Sequence, residues 1–374
     1  MNKIKISNRQ LSIITTIIVV GPTTVSFSSP VAALAKQDAW LSAIFTMIVG
    51  LPVIWINTYL GGLYPEKTFI EIIQLLLGKW IGGFVSINFI LMSFIVAARA
   101  VWYVGNFYTT EYFQEASPYL VNILFVASVA IALLYGLEAM SRAVTIFFSI
   151  TVSMFLLTMV FSTPNMKVDN LLPILEQGIA PVLKGSIPIS TYSVFSMILL
   201  NMIYPVNIND TKKAKKSMFK GYLFGMFIVF FSISSCILVL GSTITANSRF
   251  PVFLRSKQIN IGVILSRLEA LTIIDWLLVL FITTYIYSYS TVIGISQLTK
   301  LKDYKKIVLP IGLIIAVFSN IISKNIPYQI AWATNVGFPY MVTFGFVLPV
   351  VLLIITIIRN RLGKSQKTKP VKGT

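Results

Sequence analysis

Two stretches of this sequence concentrate polar chemistry inside apolar surroundings. The first is Gly21-Pro22-Thr23-Thr24, followed by Ser26, Ser28, Ser29 and Pro30. The second is Gly185, Ser186, Pro188, Ser190, Thr191, Ser193 and Ser196, with Pro205 behind it. Proline removes a backbone donor and glycine weakens a helix, while the hydroxyls around them offer replacement hydrogen bonds. A helix unwound at such a place turns N–H groups toward a ligand carboxylate and free carbonyls toward a cation or ammonium group. A lone Gly-Pro in an apolar helix is more often an ordinary kink, so the argument rests on there being two.

Charges within apolar runs are few. Arg99 shares a helical face with Tyr103, Asn106 and Thr110, at spacings of four, seven and eleven. Asp275 lies in another apolar run, and further along that run Thr283, Tyr287 and Ser290 repeat at four and seven, with Thr284 beside them. Two readings compete for the charged pair. In one, Arg99 and Asp275 form an extracellular-side gate or a substrate clamp; in the other, Arg99 snorkels outward and Asp275 caps a helix start. The hydroxyl stripe either hydrogen-bonds a small polar ligand or joins helices. There is no histidine, and the single cysteine, Cys236, sits in an apolar stretch. That excludes a disulfide framework, the common Cys/His zinc sites and Ser-His or Cys-His nucleophile systems, so no metal, cofactor or enzymatic activity is expected.

The elements that hold these residues follow from composition. Of 374 residues 56% are hydrophobic and 11% charged, less than half the usual charged share of a soluble domain, and the mean hydropathy is +0.84. A bilayer core of about 30 Å needs roughly 20 mainly apolar residues per helix. Candidate spans lie near 10–33, 39–62, 80–108, 118–136, 141–162, 186–206, 218–240, 267–295, 307–323 and 330–358. The basic N-terminus is read as preceding a retained first span rather than a cleaved signal. With both termini cytoplasmic, 21 of the 30 Lys and Arg fall on the inner side. The net charge of +18 is thus an orientation signal and a match to anionic lipid, not a nucleic-acid footprint.

Residues 66–79 read as a short interfacial helix on the cytoplasmic surface, because Phe69, Ile73, Leu76 and Leu77 form one stripe. Outside, 170–184 and 251–266 are each long enough for a helix lying over the bundle. The chain is expected to be one membrane domain over 1–360, with repeats at about 10–162 and 186–358 and a basic cytoplasmic tail at 361–374. Five spans is an odd number, so a second set of five enters the membrane inverted. Broken helices at the first position of each half are the pointer to a transporter-like inverted repeat.

The order of several short motifs resembles a known family. Ser7-Asn8-Arg9-Gln10-Leu11, Lys36-Gln37-Asp38-Ala39-Trp40, Tyr64-Pro65 with Gly78-Lys79-Trp80, and Asn170-Leu171-Leu172-Pro173 with Gly178 and Pro181 come in that sequence. Lys213-Ala214-Lys215-Lys216 and Arg267-Leu268-Glu269-Ala270 complete it. Over nearly its whole length the chain resembles the B subunits of bacterial spore germinant receptors, spore germination permeases of the amino acid–polyamine–organocation superfamily. The resemblance implies an all-α polytopic protein of ten transmembrane helices in a 5+5 inverted repeat, the LeuT-like fold, with helices 1 and 6 discontinuous. It implies a sensor in the inner spore membrane that binds a small germinant, often an amino acid, with an A subunit and a lipoprotein C subunit as partners. Carried onto this chain, the ligand site comprises Gly21, Pro22, Thr23 and Thr24, Val96 with Arg99, Ser190, Thr191, Ser193 and Ser196, and Thr283, with Thr284 and Tyr287 from the same stripe. The chain departs from many relatives in reading Met197-Ile198-Leu199-Leu200 where they carry an acidic residue. The alternative function is an amino acid permease coupled to a cation.

Overall fold

The computed structural model describes residues 5–21, 27–112, 114–259 and 269–367. Among these, nine helical runs are long and apolar enough to cross a membrane, and a shorter apolar helix, Asn8–Val20, precedes them. The expected first span is therefore divided. Helix α1 (Asn8–Val20) starts at a capping box in which Gln10 N–H donates to Ser7 Oγ and Ser7 N–H donates to Gln10 Oε1. It stops at Gly21, whose φ of 22° leaves helical space. Pro22 to Ser26 lie outside the described residues. The chain resumes as α2 (Ser28–Ala35), turns through Lys36–Asp38 and continues as α3 (Ala39–Leu63).

Helix α4 (Phe69–Glu111) begins with a second capping box, Thr68 with Glu71, and includes the expected surface helix. Gly78, at φ 76°, separates that surface portion from the span proper. Helices α5 (Pro118–Tyr135) and α6 (Leu137–Ser162) close the first half around Gly136. In the second half α7 (Ala180–Ile189) passes into a π turn over Ser190–Val194 and a 3-10 stretch over Phe195–Met202. Helix α8 (Thr211–Asn247) kinks at Gly241, φ 74°, and is followed by the short outer helix α9 (Pro251–Lys257). Then come α10 (Glu269–Leu298), α11 (Val308–Ile321) and a last span broken by π turns into α12 (Ile326–Trp332), α13 (Phe338–Val342) and α14 (Leu348–Lys367).

The two halves mirror each other around their second and third spans. A surface helix ends at Gly78 in the first half, and another follows Gly241 in the second, at the opposite end of the bundle. Burial sorts the helices into layers: 83% of the most apolar window of the Ala180–Met202 run is buried, against 17% for Leu137–Asn165. The broken α7 run is thus central, while α6 faces lipid with Ile146, Leu156 and Val160.

Three expectations change. Residues 170–184 do not form one lid helix. A 3-10 turn over Val168–Leu171 precedes non-helical turns, held by Leu175 N–H donating to both oxygens of Asp38 (3.0 and 3.1 Å) and by Gln37 Nε2 donating to Pro173 O (2.9 Å). Gly178 at φ 73° keeps them turned until Pro181 enters α7. Of the expected 251–266 helix only Pro251–Lys257 is helical, residues 260–266 lying outside the described set. Helix α14 runs on to Lys367, past the expected start of the tail.

Candidate functional site

The two breaks meet at the centre. Pro188 deprives α7 of a backbone donor, and the hydroxyls beyond it bond back to the chain: Thr191 Oγ1 donates to Ile187 O (2.8 Å) and Ser196 Oγ to Tyr192 O. Ser193 Oγ donates across to Val19 O in the last turn of α1 (2.7 Å), which ties one break to the other. On the remaining side, a Cβ at Gly21 would stand 3.6 Å from Thr283 Oγ1 and Cγ2. Tyr287, one turn below Thr283, lies beside Ser196 and near Tyr192. Gly21, Ser193, Ser196, Thr283 and Tyr287 are thus brought together. Ser190, Thr191 and Thr284 are also buried, with Thr284 Oγ1 unpartnered. Val96 is buried one turn from Arg99, whereas Pro22, Thr23 and Thr24 lie outside the described residues.

Arg99 does not snorkel. It is 1% exposed, its guanidinium carbon lies 3.4 Å from the centre of the Trp332 ring, and its Nη1 donates to Gln329 Oε1. A cation over an indole face gains from the ring quadrupole, more so when desolvated. The other side of the cluster is aromatic: Phe27, the first described residue after Gly21, packs on Tyr192 at 4.8 Å and on Tyr103 at 6.3 Å between ring centres. Arg99 Nε, Gln329 Nε2 and the Tyr192 hydroxyl are all buried without a hydrogen-bond partner. Such groups are costly to leave unpaired, and together they offer two donors and a hydroxyl around one point.

The Arg99–Asp275 gate is not formed. Asp275 lies instead within electrostatic reach of Arg255 of α9 and lines a small crevice with Thr16, Val20, Thr151 and Phe155. Arg255 is itself buried, its Nη1 donating to Ser235 Oγ and lying 3.7 Å from Met159 Sδ. Asp275 therefore belongs to an outer cluster beneath a surface helix, and Arg99 to the central one. Depth along a helix does not fix the direction a side chain leaves it. The sequence reading also missed Tyr192, Gln329, Trp332 and Phe27. A usable signal was present in Gln329 and Trp332, three residues apart and so on one face at the start of an apolar run.

No group of three or more His, Cys, Asp or Glu residues that could hold a metal occurs among the described residues. The arrangement is a closed, aromatic-walled polar cluster with one cation at its centre, at the junction of two broken helices. Its unpaired donors are chemically complementary to an anionic group.

Comparison with known proteins bears on family and fold. The family model described as "Spore germination protein" matches residues 5–327. Spore germination protein KB of Bacillus subtilis (strain 168) is 27% identical over the full length of both chains. Spore germination protein YndE of the same organism is 27% identical over 87% of this chain and 89% of its own. Among solved structures, a nucleobase-cation-symport-1 family transporter in a closed conformation with bromovinylhydantoin bound aligns with a TM-score of 0.67, at 10% identity, over 92% of this chain and 79% of that one. MhsT in complex with L-phenylalanine aligns with a TM-score of 0.66, at 12% identity, over 96% of this chain and 99% of that one. These likenesses identify the fold as LeuT-like, the ten-helix inverted repeat in which helices 1 and 6 are discontinuous, and family and fold alike are those of permeases and transporters. The chain is a multi-pass membrane protein and belongs to the spore germination permease family.

Proposed function

We propose that this chain is the germinant-sensing B subunit of a spore germination receptor, and that its central cluster binds a small nutrient with a carboxylate, an amino acid being the best fit. The observation that carries this reading is Arg99: a buried guanidinium held between Trp332 and Gln329 with Nε unpaired, next to two helix breaks. A buried cation is costly without an anion. An arginine fork suits a carboxylate, and the hydrogen bonds so formed are charge-assisted. The stacked indole holds the guanidinium plane ready, and Phe27, Tyr103 and Tyr192 wall the space against water.

A bound ligand acts by favouring one arrangement of the breaks over another, since equal binding to both would shift nothing. The A subunit and the lipoprotein C subunit, proposed from family membership, are the receivers of that shift. The inner spore membrane is the proposed location. The charge asymmetry of the connections supports a cytoplasmic location for both termini. Residues 1–360 form the sensing domain, with repeats over 10–162 and 186–358, and 361–374 a basic tail.

Deletion of the gene, followed by germination assays against separate amino acids, nucleosides and sugars, tests the proposal. Loss of the response to one amino acid, restored by the wild-type gene and not by an Arg99→Met copy, is the expected result. Retention of every response in a strain free of other receptors would end the assignment. A second reading, an amino acid permease coupled to a cation, draws support from the fold shared with MhsT, and ligand uptake by the purified protein in liposomes would favour it.

A further inference from the structure

Helix α1 lies unusually deep against α8, because α8 offers it two glycines one turn apart. A Cβ at Gly221 would overlap the carbonyl oxygen of Ser12, and one at Gly225 would lie 2.7 Å from Val19 Cβ. The close approach is fastened by Thr16 Oγ1 donating to Gly221 O (3.0 Å). Spacing of this small-xxx-small kind brings helix backbones together in membranes. It has a second result. With α1 sunk into the glycine face, the neighbours Lys220 and Phe224 stand above it as a wall, and Phe148 of α6 forms the facing wall.

Between these walls lies a cavity of about 410 Å³ floored by Ser12, Ile13 and Thr16 of α1, with Arg9 at its mouth. Both cations are exposed, and neither has an ion-pair partner among the described residues. The cavity opens at the end of the bundle where residue 6 pairs with the segment before α8: Ile6 N–H donates to Asn207 O and Asn209 N–H to Ile6 O. That end carries the lysine-rich start of α8 and is the inner, cationic side. The α8 wall continues away from the mouth with Phe224, Phe227 and Phe231, all about half exposed, so the groove opens sideways to the lipid chains. Deeper in, the crevice lined by Asp275 shares Thr16 and Phe148 with it, so the space runs on along α1.

We propose that this groove is a binding site for an anionic phospholipid of the inner leaflet. Its phosphate is held between Arg9 and Lys220, and an acyl chain lies over α1 against Phe148 and Phe224. The charge pattern selects the occupant: two unpaired cations at headgroup depth above an apolar, lipid-open slot match a phosphodiester on an acyl glycerol. A soluble phosphate would leave the apolar walls uncovered, and a zwitterionic headgroup would meet the cations with its own positive end. The lipid rests directly on the half-helix that ends at Gly21, so its headgroup bears on the inner side of the broken span.

The test is the partition of spin-labelled phosphatidylglycerol and phosphatidylcholine onto the full-length protein in mixed-lipid membranes. With about 1 kcal/mol for each of two basic groups, phosphatidylglycerol should be preferred by roughly 30-fold. That preference should collapse toward unity in the Arg9→Gln/Lys220→Gln double variant. It should survive in Lys213→Gln/Lys216→Gln, which removes two charges from the exposed start of α8 outside the groove. Equal binding of the two lipids to the wild-type protein would overturn the proposal without reliance on any variant. So would equal loss in both double variants, which would assign the preference to the diffuse charge of the inner face. Displacement of the labelled lipid by millimolar inorganic phosphate would instead make the pocket a soluble-phosphate site.

Discussion

The protein buries two arginines, and they sit in opposite kinds of surroundings. Arg99 leaves a long membrane-spanning helix and ends at the junction of both breaks, between an indole face and an amide, with aromatic rings on the far side. Arg255 leaves the seven-residue α9 on the outer surface and reaches down to Ser235, Met159 and the neighbourhood of Asp275. Each guanidinium keeps a buried Nε without a partner, but one cation is stacked on an indole beside an amide, while the other has a carboxylate of its own chain nearby. Under the function proposed above, the contrast separates a group kept for an incoming anion from a group that joins a surface helix to the bundle. Burial and charge alone would rank them equal.

The sharpest way to break that contrast is Arg99→Met. A hydrogen bond to a charged group contributes about 1.5–3 kcal/mol, so the germinant concentration for half-maximal response should rise roughly 10- to 150-fold. The measurement is a germination dose–response with protein abundance checked by immunoblot, and an unchanged midpoint would remove Arg99 from the site. Trp332→Leu should cost less. Loss of a desolvated cation–π contact, about 0.5–2 kcal/mol, predicts a shift of roughly 2- to 30-fold with the maximal response retained. Arg255→Met tests the other arm. Removing one member of the Arg255–Asp275 neighbourhood should lower protein abundance, because the carboxylate is left without its cation, while the midpoint of the folded protein should stay within about threefold. A loss as large as that of Arg99→Met would show that the outer cluster takes part in recognition.

The smallest effect is expected far from both arginines, at Asp210. Its carboxylate caps α8, and the hydrogen bond from Lys213 N–H holds its pKa below the ordinary carboxylate value. A depressed folded-state pKa contributes stability that is complete above the unfolded value and lost as pH falls through the folded one. Asp210→Asn should therefore leave the germinant midpoint untouched and flatten only the acid limb of a pH–stability curve measured on the purified protein.

Much of this architecture is legible in the sequence because the membrane makes a simple demand: runs of about 20 apolar residues, with basic residues collected on one side. Gly21-Pro22 and the Pro188 region announce the breaks for the same reason, since a missing donor in lipid must be compensated by the hydroxyls seen beside it. The outward limit is azimuth. Arg99 and Asp275 each look central when only depth is read, yet helix rotation sends one toward Trp332 and the other toward Arg255. Partners on short or irregular segments were the hardest to foresee. Arg255 lies in a stretch that reads only as an outer helix over the bundle, and the 170–184 stretch looks helical until Asp38 and Gln37, more than 130 residues earlier, claim its backbone. Tyr192 is hidden by its neighbours, an aromatic ring between hydroxyls whose role becomes visible only when Phe27 is laid against it.

The pairing of residue 6 with residues 207 and 209 has a mechanical consequence. Two backbone hydrogen bonds, with Ile6 and Ile208 both buried beneath them, strap the start of α1 to the loop that follows the 3-10 stretch. Ser193 and Val19 fasten the same two broken spans again at their midpoints. A rod fixed to its neighbour at two heights cannot swing alone. The linked halves of the first and sixth spans thus share one degree of freedom, and under the function proposed above a nutrient that nudged either break would move a single two-legged lever.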